Sequence, residues 1–403
     1  MRPPTVTNGT DFVNLSWREF GVRAIAERMT GDGQAEIQFF SALAEDDSLI
    51  HTTKVNLLST SAVTALSKTL EKRLSAPWDG ILTQLTDTVL ALARRGEPVQ
   101  EIWPSEDDSL QPVYLLDPLL YLNHPTVIFG DYGSLKSLIA LATAYVVQLP
   151  YQDNQLGLTT MQESTLCLYL DYEDDPSSFR KRWGALGKGF GTPLMPILYR
   201  RMTTALADSV DQLKRIIDDK EIKLLIVDSL GPAARGNLND PEPAIKYHAA
   251  LRKLGITSLT LAHTAKDQFT KKKTIFGSIF FTNLSRSVWE CKAEQETGED
   301  EAIISLKHAK ANLSRLHPPL GYRFNFTDST IKIAKTDLRD TALSGELPLS
   351  WQIKNLLRKG SFTVNEITEQ LGSSADTIGR TLRRMRTKNQ VMKLEDDRWG
   401  LCL

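Results

Sequence analysis

The sequence predicts an α/β fold built around a parallel β-sheet, and three observations support this prediction. Short apolar runs, each long enough for one strand, recur at Val127–Phe129, Leu166–Leu170, Leu224–Val227 and Ser258–Ala262. Each run stops at polar residues or at a glycine, and a stretch long enough for a helix follows each one. Continuous apolar strands that alternate with helices are typical of a parallel sheet covered on both faces.

The first run leads into a loop with the features of a phosphate-binding site. The strand breaks at Gly130, a Lys136-Ser137 pair follows, and the apolar stretch Leu138–Val147 can form a buried helix. Backbone N–H groups of such a loop and of the helix N-terminus point at phosphate oxygens. We expect Lys136 to reach the β- and γ-phosphates of ATP and the Ser137 hydroxyl to ligate Mg²⁺. The predicted nucleotide-binding residues are Gly130, Asp131, Tyr132, Gly133, Ser134, Leu135, Lys136 and Ser137.

Leu135 stands where such loops usually have a glycine. A right-handed conformation at this position would leave the loop intact, because only the N–H group is needed. A position that demands a positive φ would strain the leucine by roughly 1–2 kcal/mol. The alternative interpretation of the whole segment is a strand-to-helix turn that happens to contain Lys-Ser.

Polar residues follow the other three predicted strands. Glu173 comes after the second strand, Asp228 after the third and His263 after the fourth. Ligands of parallel sheets bind beyond the carboxyl ends of the strands, so these side chains should share one rim with Lys136. Phosphoryl transfer would then have Asp228 hold Mg²⁺ through water, Glu173 deprotonate the attacking water and His263 donate to the γ-phosphate.

Each of these polar residues also has a structural interpretation. Acidic residues often cap the helix after a strand, and Asp174, Asp175 and Pro176 have that pattern. A histidine at a strand end is also a common structural residue. The sequence leaves both alternatives open.

Residues 115–335 resemble a RecA-like ATPase of the RepA group of hexameric replicative helicases, within the AAA ATPases. The segments that carry the resemblance keep their order and spacing: Gly130–Ser137, Leu168–Asp175, Phe179–Arg182, Ile226–Pro232, Leu261–Lys266, Phe276–Ser278, Asn283–Trp289 and Lys310–Asn312. The resemblance implies that Glu173 is the catalytic base and Asp228 the acid on the Mg²⁺ side. It also implies a homo-oligomer, a hexamer, that acts on DNA.

Two further cations match family positions for groups that act on the site of a neighbouring subunit. Arg286 and Lys310 would stabilise transition-state charge in that way. Either residue could instead pair with a carboxylate of its own subunit, and the sequence does not decide between these roles.

A basic segment follows the fourth predicted strand and contains Lys266, Lys271, Lys272 and Lys273, with Phe269 among them. In RecA-like rings the loop at this position faces the central pore, so we expect it to contact single-stranded DNA. The alternative is an exposed surface loop without a ligand. The second pore-facing loop would be Gly231–Asp240, whose one cation is Arg235.

Length and composition agree with a multidomain protein of the cytoplasm. The 403 residues can form two to three domains, and 41% of them are hydrophobic. A net charge of −1 confines any nucleic-acid contact to a local surface. The three cysteines have no pairing or metal-binding spacing. No apolar run approaches the length of a membrane span, and we expect a soluble protein without a membrane partner.

Two smaller parts flank the ATPase part at 115–335. Residues 1–114 are predicted to form a small α+β module. Its expected elements are a hairpin of Val22–Met29 and Ala35–Phe40, a strand at Lys54–Leu58, and helices near Ser61–Leu74 and Trp78–Arg94. This module contains no cluster of reactive side chains, and packing or oligomer contact is its expected role. A linker is expected at 336–349.

Residues 350–403 resemble a winged helix-turn-helix. Three short helices are expected at Trp351–Arg358, Val364–Leu371 and Ala375–Thr387, followed by a hairpin of Val391–Leu394 and Arg398–Leu401. The third helix carries the basic residues Arg380, Arg383, Arg384, Arg386 and Lys388. Such side chains on a recognition helix would contact duplex DNA. A solvated basic face or a protein-docking domain is the alternative.

Two classes of function remain open from the sequence. The first is a DNA-stimulated ATPase motor, a helicase or translocase that replicates a mobile element, plasmid or phage-like region. The second is a nucleotide-switched DNA-binding regulator or loader with weak ATPase activity. Leu135 and the C-terminal domain favour the second class, whereas the long resemblance and the basic loop favour the first.

Overall fold

The computed structural model describes residues 1–8, 12–41, 48–95, 99, 101–104, 111–161, 163–265 and 273–402. The chain divides into two compact units, Met1–Asp108 and Ser109–Leu403. Across the described ranges, no helix combines the length and the apolar character needed to cross a membrane.

The described residues of the first unit form a five-stranded antiparallel sheet and two α-helices. Its elements are β1 Thr5–Asn8, β2 Phe12–Trp17, β3 Val22–Glu27, β4 Gln34–Ser41, β5 Ser48–Asn56, α1 Thr60–Glu71 and α2 Trp78–Arg95. Buried and partly buried residues alternate along β3 and β4, so one face of the sheet packs against the helices. The expected hairpin is β3–β4, and β1 and β2 are additional strands that the sequence did not predict.

The second unit is built on a nine-stranded mixed sheet. The strands of the large sheet and of a small neighbouring sheet are, in chain order, β6 Tyr114–Asp117, β7 Leu120–Tyr121, β8 Pro125–Gly130, β9 Thr159–Thr160, β10 Cys167–Asp171, β11 Leu198–Arg201, β12 Leu224–Asp228, β13 Thr257–His263, β14 Ser287–Glu294, β15 Glu301–Ala311, β16 Leu320–Phe326 and β17 Ile331–Lys335. The large sheet has the order β11-β10-β12-β13-β8-β14-β15-β16-β17, and β7-β6-β9 form a separate small sheet. Strands β11 to β14 in this order are parallel, and β15 to β17 extend the sheet with antiparallel pairs.

Helices cover both faces of the parallel part of the sheet. They are α3 Lys136–Val147, α4 Pro176–Phe190, α5 Val210–Asp219, α6 Leu230–Ala234, α7 Pro241–Leu254 and α8 Ile279–Leu284. Side chains of β8 alternate between the two cores: Ile128 packs in the core that contains α3 and α4, whereas Val127 and Phe129 pack in the core that contains α5 and α7. This arrangement confirms the predicted RecA-like α/β core.

Strand order brings the ends of the predicted strands together at one edge of the sheet. Asp171 pairs with Asp228 in register, and His263 pairs with Gly130. The carboxyl ends of β8, β10, β12 and β13 therefore form one rim, and α3, α4 and α6 begin directly after it.

Residues 336–349, expected to be a linker, pack against the sheet. Two short 3-10 turns lie at Leu338–Asp340 and Ala342–Glu346. Leu338, Leu343 and Leu347 are buried in a small cluster with Ile303 of β15. The segment predicted as a linker is thus held on the sheet, because its three leucines bury apolar surface there.

The C-terminal part contains α9 Leu349–Leu357, α10 Val364–Leu371, α11 Ala375–Arg386, and a hairpin of β18 Val391–Lys393 and β19 Trp399–Leu401. Ile353, Ile367, Ile378 and Leu382 are fully buried in their common core. A capping box at Thr363 and Glu366 starts α10, and Gly372 ends it in the left-handed conformation. The expected helices and hairpin are therefore present, with ends that shift by one or two residues.

Candidate nucleotide site

The phosphate loop connects β8 to α3 and is packed closely against β14. A Cβ atom on Gly130 would lie 2.3 Å from the main-chain oxygen of Cys291, so the loop can begin here only with glycine. The Ser134 hydroxyl donates to the main-chain oxygen of Asp131 at 2.7 Å and closes the loop. The Cys291 thiol, which is buried beneath the loop, donates to the Ser134 oxygen at 3.1 Å.

Lys136 lies inside this loop with its side chain almost completely buried. Its ammonium donates to the main-chain oxygens of Gly130 at 3.1 Å and Asp131 at 2.8 Å, and to the Ser134 hydroxyl at 3.1 Å. Burial lowers the pKa of Lys136, and neighbouring carboxylates partly oppose that shift. The Lys136 ammonium therefore lies where the oxygens of a bound phosphate could replace the loop oxygens as its hydrogen-bond acceptors.

Leu135 has φ 57° and ψ 24°, in the left-handed region. The position therefore demands the conformation for which glycine is usual, at a cost of roughly 1–2 kcal/mol for leucine. Part of the leucine side chain packs against the core around α3, which offsets that cost. The loop keeps the shape of a phosphate loop and stores backbone strain at its last residue.

Ser137 and Asp228 meet beneath the loop. The Asp228 carboxylate, at the end of β12, is hydrogen-bonded to the Ser137 side chain and accepts a hydrogen bond from the Tyr169 hydroxyl at 2.6 Å. Burial raises the pKa of Asp228, and these two hydrogen bonds oppose the rise. A hydroxyl and a carboxylate are hard oxygen donors of the kind that Mg²⁺ takes together with waters and substrate phosphates. The pair therefore fits the predicted Mg²⁺ site.

Glu173 lies at the same rim, between β12 and β13. Its carboxylate accepts a hydrogen bond from the Ser229 hydroxyl and lies 3.7 Å from Nε2 of His263. The turn that presents Glu173 is organised by Asp171, whose carboxylate accepts from the backbone N–H of Glu173 at 3.0 Å. Nearly half of the Glu173 side chain is exposed, so a water molecule or a substrate can reach it.

Helix capping, the structural role considered for this acidic segment, belongs to the neighbours of Glu173. Asp175 is the N-cap of α4: its carboxylate accepts from the backbone N–H groups of Ser177 and Ser178 at 2.8 and 3.1 Å. The hydrogen bond from the Ser178 hydroxyl, together with these two backbone hydrogen bonds, lowers the pKa of Asp175 to about 2. Asp174 pairs with Arg182. Glu173 itself takes no part in capping α4, and its carboxylate lies at the rim beside Ser229 and His263.

The loop residue Asp131 is bound to the segment that follows β13. Its carboxylate accepts hydrogen bonds from the Lys273 ammonium and the Thr264 hydroxyl, and both hold the pKa of Asp131 below its usual range. Lys273 was predicted to contact nucleic acid, yet its ammonium lies on the phosphate loop. The other two predicted residues of the loop tip, Tyr132 and Gly133, are exposed, and Gly133 has a positive φ.

Arg286 and Lys310 lie at the opposite end of the sheet. Ser287 pairs with Thr126 at the start of β8, whereas the phosphate loop follows Gly130 at the end of β8. At about 3.3 Å per residue, Arg286 is more than 13 Å along the strand from that loop. The Lys310 ammonium donates to three main-chain oxygens at the end of α8, at 2.6–2.9 Å. Neither cation can reach the phosphate loop of its own chain.

The predicted nucleic-acid residues are only partly described. Lys266, Lys271 and Lys272 lie outside the described residues. The expected pore-facing segment Gly231–Asp240 is not wholly a loop, because α6 occupies its first part. Arg380, Arg383 and Arg384 on α11 are exposed, and so is Lys388, which lies two residues beyond the end of that helix. Arg380 also forms an ion pair with Asp376 at 2.8 Å.

Several residues of the site were not predicted from the sequence. Ser229 directly follows Asp228, and Asp171 ends the strand before Glu173, so strand-end position could have indicated both. Tyr169 carries no such signal, since its hydroxyl reaches Asp228 only because β10 and β12 are neighbours. Thr264 follows His263 and could have been included with it.

Part of the chain matches a family model, and a solved structure is similar to it. A family model described as "AAA domain" matches residues 95–268. The crystal structure of a KaiC-like protein from the hyperthermophilic archaeon Pyrococcus horikoshii OT3 is similar at 15% identity with a TM-score of 0.38, covering 59% of this chain and 99% of that chain. No curated protein matches the sequence. Residues 95–268 are thus similar to an AAA domain, and the parallel sheet with its loop between β8 and α3 has the RecA-like P-loop fold.

Proposed function

We propose that this protein is an oligomeric, Mg²⁺-dependent ATPase that acts on DNA as a helicase or translocase. The observation that carries the proposal is the convergence of Lys136, Ser137, Glu173, Asp228 and His263 at one rim of the parallel sheet. The proposed context is replication of a mobile element, plasmid or phage-like region, which the family resemblance implies.

Each residue has a chemical role in this proposal. Lys136 exchanges its loop oxygens for the β- and γ-phosphates of ATP. Ser137 and Asp228 would hold Mg²⁺, which when bound neutralises charge that develops on the phosphates. Glu173 accepts the proton of the attacking water, and the Ser229 hydroxyl fixes the orientation of its carboxylate. His263, close to Glu173, donates to the γ-phosphate.

The position of the remaining cations supports an oligomer. Arg286 is exposed at the amino end of the sheet, so it can stabilise transition-state charge only at the site of a neighbouring protomer. Lys310 is already held by the carbonyl groups at the end of α8. We therefore propose Arg286 as the trans-acting cation, with Lys310 as the group that fixes α8 beside it.

The ATPase rate with and without single-stranded DNA tests the motor function. We expect hydrolysis that requires Mg²⁺ and rises with single-stranded DNA, and we expect Arg286→Ala to lower the rate without weakening ATP binding. Mixing Arg286→Ala with Glu173→Gln protomers should restore some activity, because each variant supplies the group that the other lacks. A rate that is unaffected by DNA would contradict the motor.

The alternative is a nucleotide-switched DNA-binding regulator. The strained Leu135 favours it, because a loop that stores strain can bind nucleotide and yet turn it over slowly. A basal rate that DNA does not change, together with duplex binding that depends on ATP, would support this second function.

A further inference from the structure

Two ammonium groups meet at the loop residue Asp131. Lys136 donates to its main-chain oxygen at 2.8 Å, and Lys273 donates to its carboxylate. The first is the expected phosphate-loop lysine, whereas the second comes from the segment after β13. Asp131 thus binds one ammonium group through its main-chain oxygen and a second through its carboxylate.

The place of Lys273 is fixed by described backbone contacts. The backbone N–H of Ala265 donates to the oxygen of Thr274 at 2.9 Å, and that of Phe276 donates to the oxygen of His263 at 2.8 Å. An isolated bridge between Thr264 and Ile275 completes this short antiparallel ladder. Residues 273–276 therefore run beside the end of β13, next to the residue that faces Glu173.

The charges at the rim explain why a second cation is needed. The carboxylates of Asp131, Glu173 and Asp228 all act on Lys136 and raise its pKa against the effect of burial. ATP brings several more negative charges to the same loop. An unpaired Asp131 carboxylate would repel the phosphates at a distance shorter than the Debye length, where salt screens little. Lys273 neutralises that carboxylate.

We propose that Lys273 is a second cation of the nucleotide site, positioned by Asp131 and Thr264, and that it promotes binding of the ATP phosphates rather than contact with DNA. This inference rests on the proposed nucleotide-binding function of the same loop. It gives Asp131 and Thr264 positioning roles and separates Lys273 from the other lysines of the basic segment.

Equilibrium binding of a fluorescent ATP analogue with Mg²⁺ tests the proposal. We expect Lys273→Met to weaken binding about tenfold, because it leaves the Asp131 carboxylate unpaired beside the phosphates. Lys273→Arg should restore most of the affinity because it keeps the charge. Lys332→Met, at an exposed lysine on β17, is the matched control and should bind as the wild type does. Binding of the Lys273→Met variant within twofold of wild type would overturn the proposal.

Asp131 provides the second arm of the test. If Lys273 acts by neutralising Asp131, the double variant Asp131→Asn/Lys273→Met should bind ATP more tightly than Lys273→Met alone. Equal or weaker binding of the double variant would overturn that role. DNA binding of Lys273→Met without nucleotide should match wild type, and a loss there would return Lys273 to the DNA-contacting residues.

Lys136→Ala distinguishes failure of this inference from failure of the proposed function. If Lys136→Ala loses tight ATP binding while Lys273→Met keeps it, only the inference on Lys273 is wrong. If Lys136→Ala also binds as wild type does, the nucleotide site itself lies elsewhere, and the proposed function fails with it.

Discussion

The carboxylate of Glu173 accepts a hydrogen bond from the hydroxyl of Ser229, the residue that directly follows Asp228. Glu173, the proposed base, is thus linked to Asp228, the proposed metal ligand, through the adjacent residue Ser229. A second contact supports this link, because the backbone N–H of Tyr172 donates to the main-chain oxygen of Asp228 at 2.7 Å. We therefore expect a shift of Asp228 to be transmitted to the segment that carries Glu173.

Glu173→Gln should preserve the fold and ATP binding but lower turnover by about 10²-fold or more, the usual order for losing a general base. Ser229→Ala should give a smaller loss, because it removes only the group that orients the base. Steady-state ATPase rates and ATP affinity measured on both variants check this prediction. Full turnover in Glu173→Gln would mean that the base is another residue.

Leu135 allows a test of stored backbone strain. Leu135→Ala keeps the left-handed strain and loses packing against the core around α3, whereas Leu135→Gly loses the packing but relieves the strain. We therefore expect the glycine variant to be the more stable of the two by about 1 kcal/mol, the reverse of the usual order in helices. Denaturant unfolding of both variants measures the difference. A more stable alanine variant would show that the position carries no strain.

The buried carboxyl of Asp228 should make stability depend on pH in the nucleotide-free protein. Burial raises its pKa above the ordinary value of 3.8, so the folded state keeps a proton that the unfolded state has lost. Stability should fall as the pH rises from that ordinary value through the raised pKa. Asp228→Asn should remove this contribution, so its advantage in Tm over wild type should grow with pH.

Thermal unfolding between about pH 4 and pH 7, with a chelator and without nucleotide, measures this dependence. Asp328→Asn, at an exposed aspartate in the turn before β17, is the control and should follow the wild-type curve. A Tm difference between Asp228→Asn and wild type that is constant with pH would show that Asp228 is not the titrating group. Mg²⁺-dependent hydrolysis should be lost in Asp228→Asn at every pH.

The two proposed DNA surfaces should separate in mutants. Removal of residues 349–403 should weaken duplex binding and leave basal ATPase activity unchanged, because these residues supply no nucleotide ligand. The cut must follow Pro348, since Glu346 pairs with Lys292 of β14 at 2.6 Å and Leu347 is buried. Loss of the basal ATPase activity on truncation would contradict this assignment.

Two sets of substitutions in the full-length chain localise the surfaces further. Arg383→Ala with Arg384→Ala should weaken duplex binding and reduce its salt dependence by about one unit of slope for each lost phosphate contact. Neutralising Lys271 and Lys272 should instead reduce stimulation of the ATPase by single-stranded DNA. The opposite pattern would exchange the two surfaces.

The sequence by itself determined the core of the fold and the composition of the candidate site. Continuous apolar strands made the parallel sheet predictable, because a strand buried on both faces must be apolar at every position. The strand ends made Lys136, Glu173, Asp228 and His263 predictable as a group, because parallel strands expose their carboxyl ends at one edge. Apolar residues at helical spacing likewise indicated the C-terminal helices.

Only the tertiary structure decided how these groups are connected. The strand order places Tyr169 against Asp228, and the return of the chain after β13 places Lys273 on Asp131. It also places Arg286 at the far end of the sheet from the phosphate loop. Contacts between strands that are distant in the chain depend on sheet order and on packing, which local sequence patterns do not encode. For the same reason, the sequence did not decide the conformation of Leu135. Its left-handed φ and ψ are set by the way the loop connects β8, packed against β14, to the start of α3.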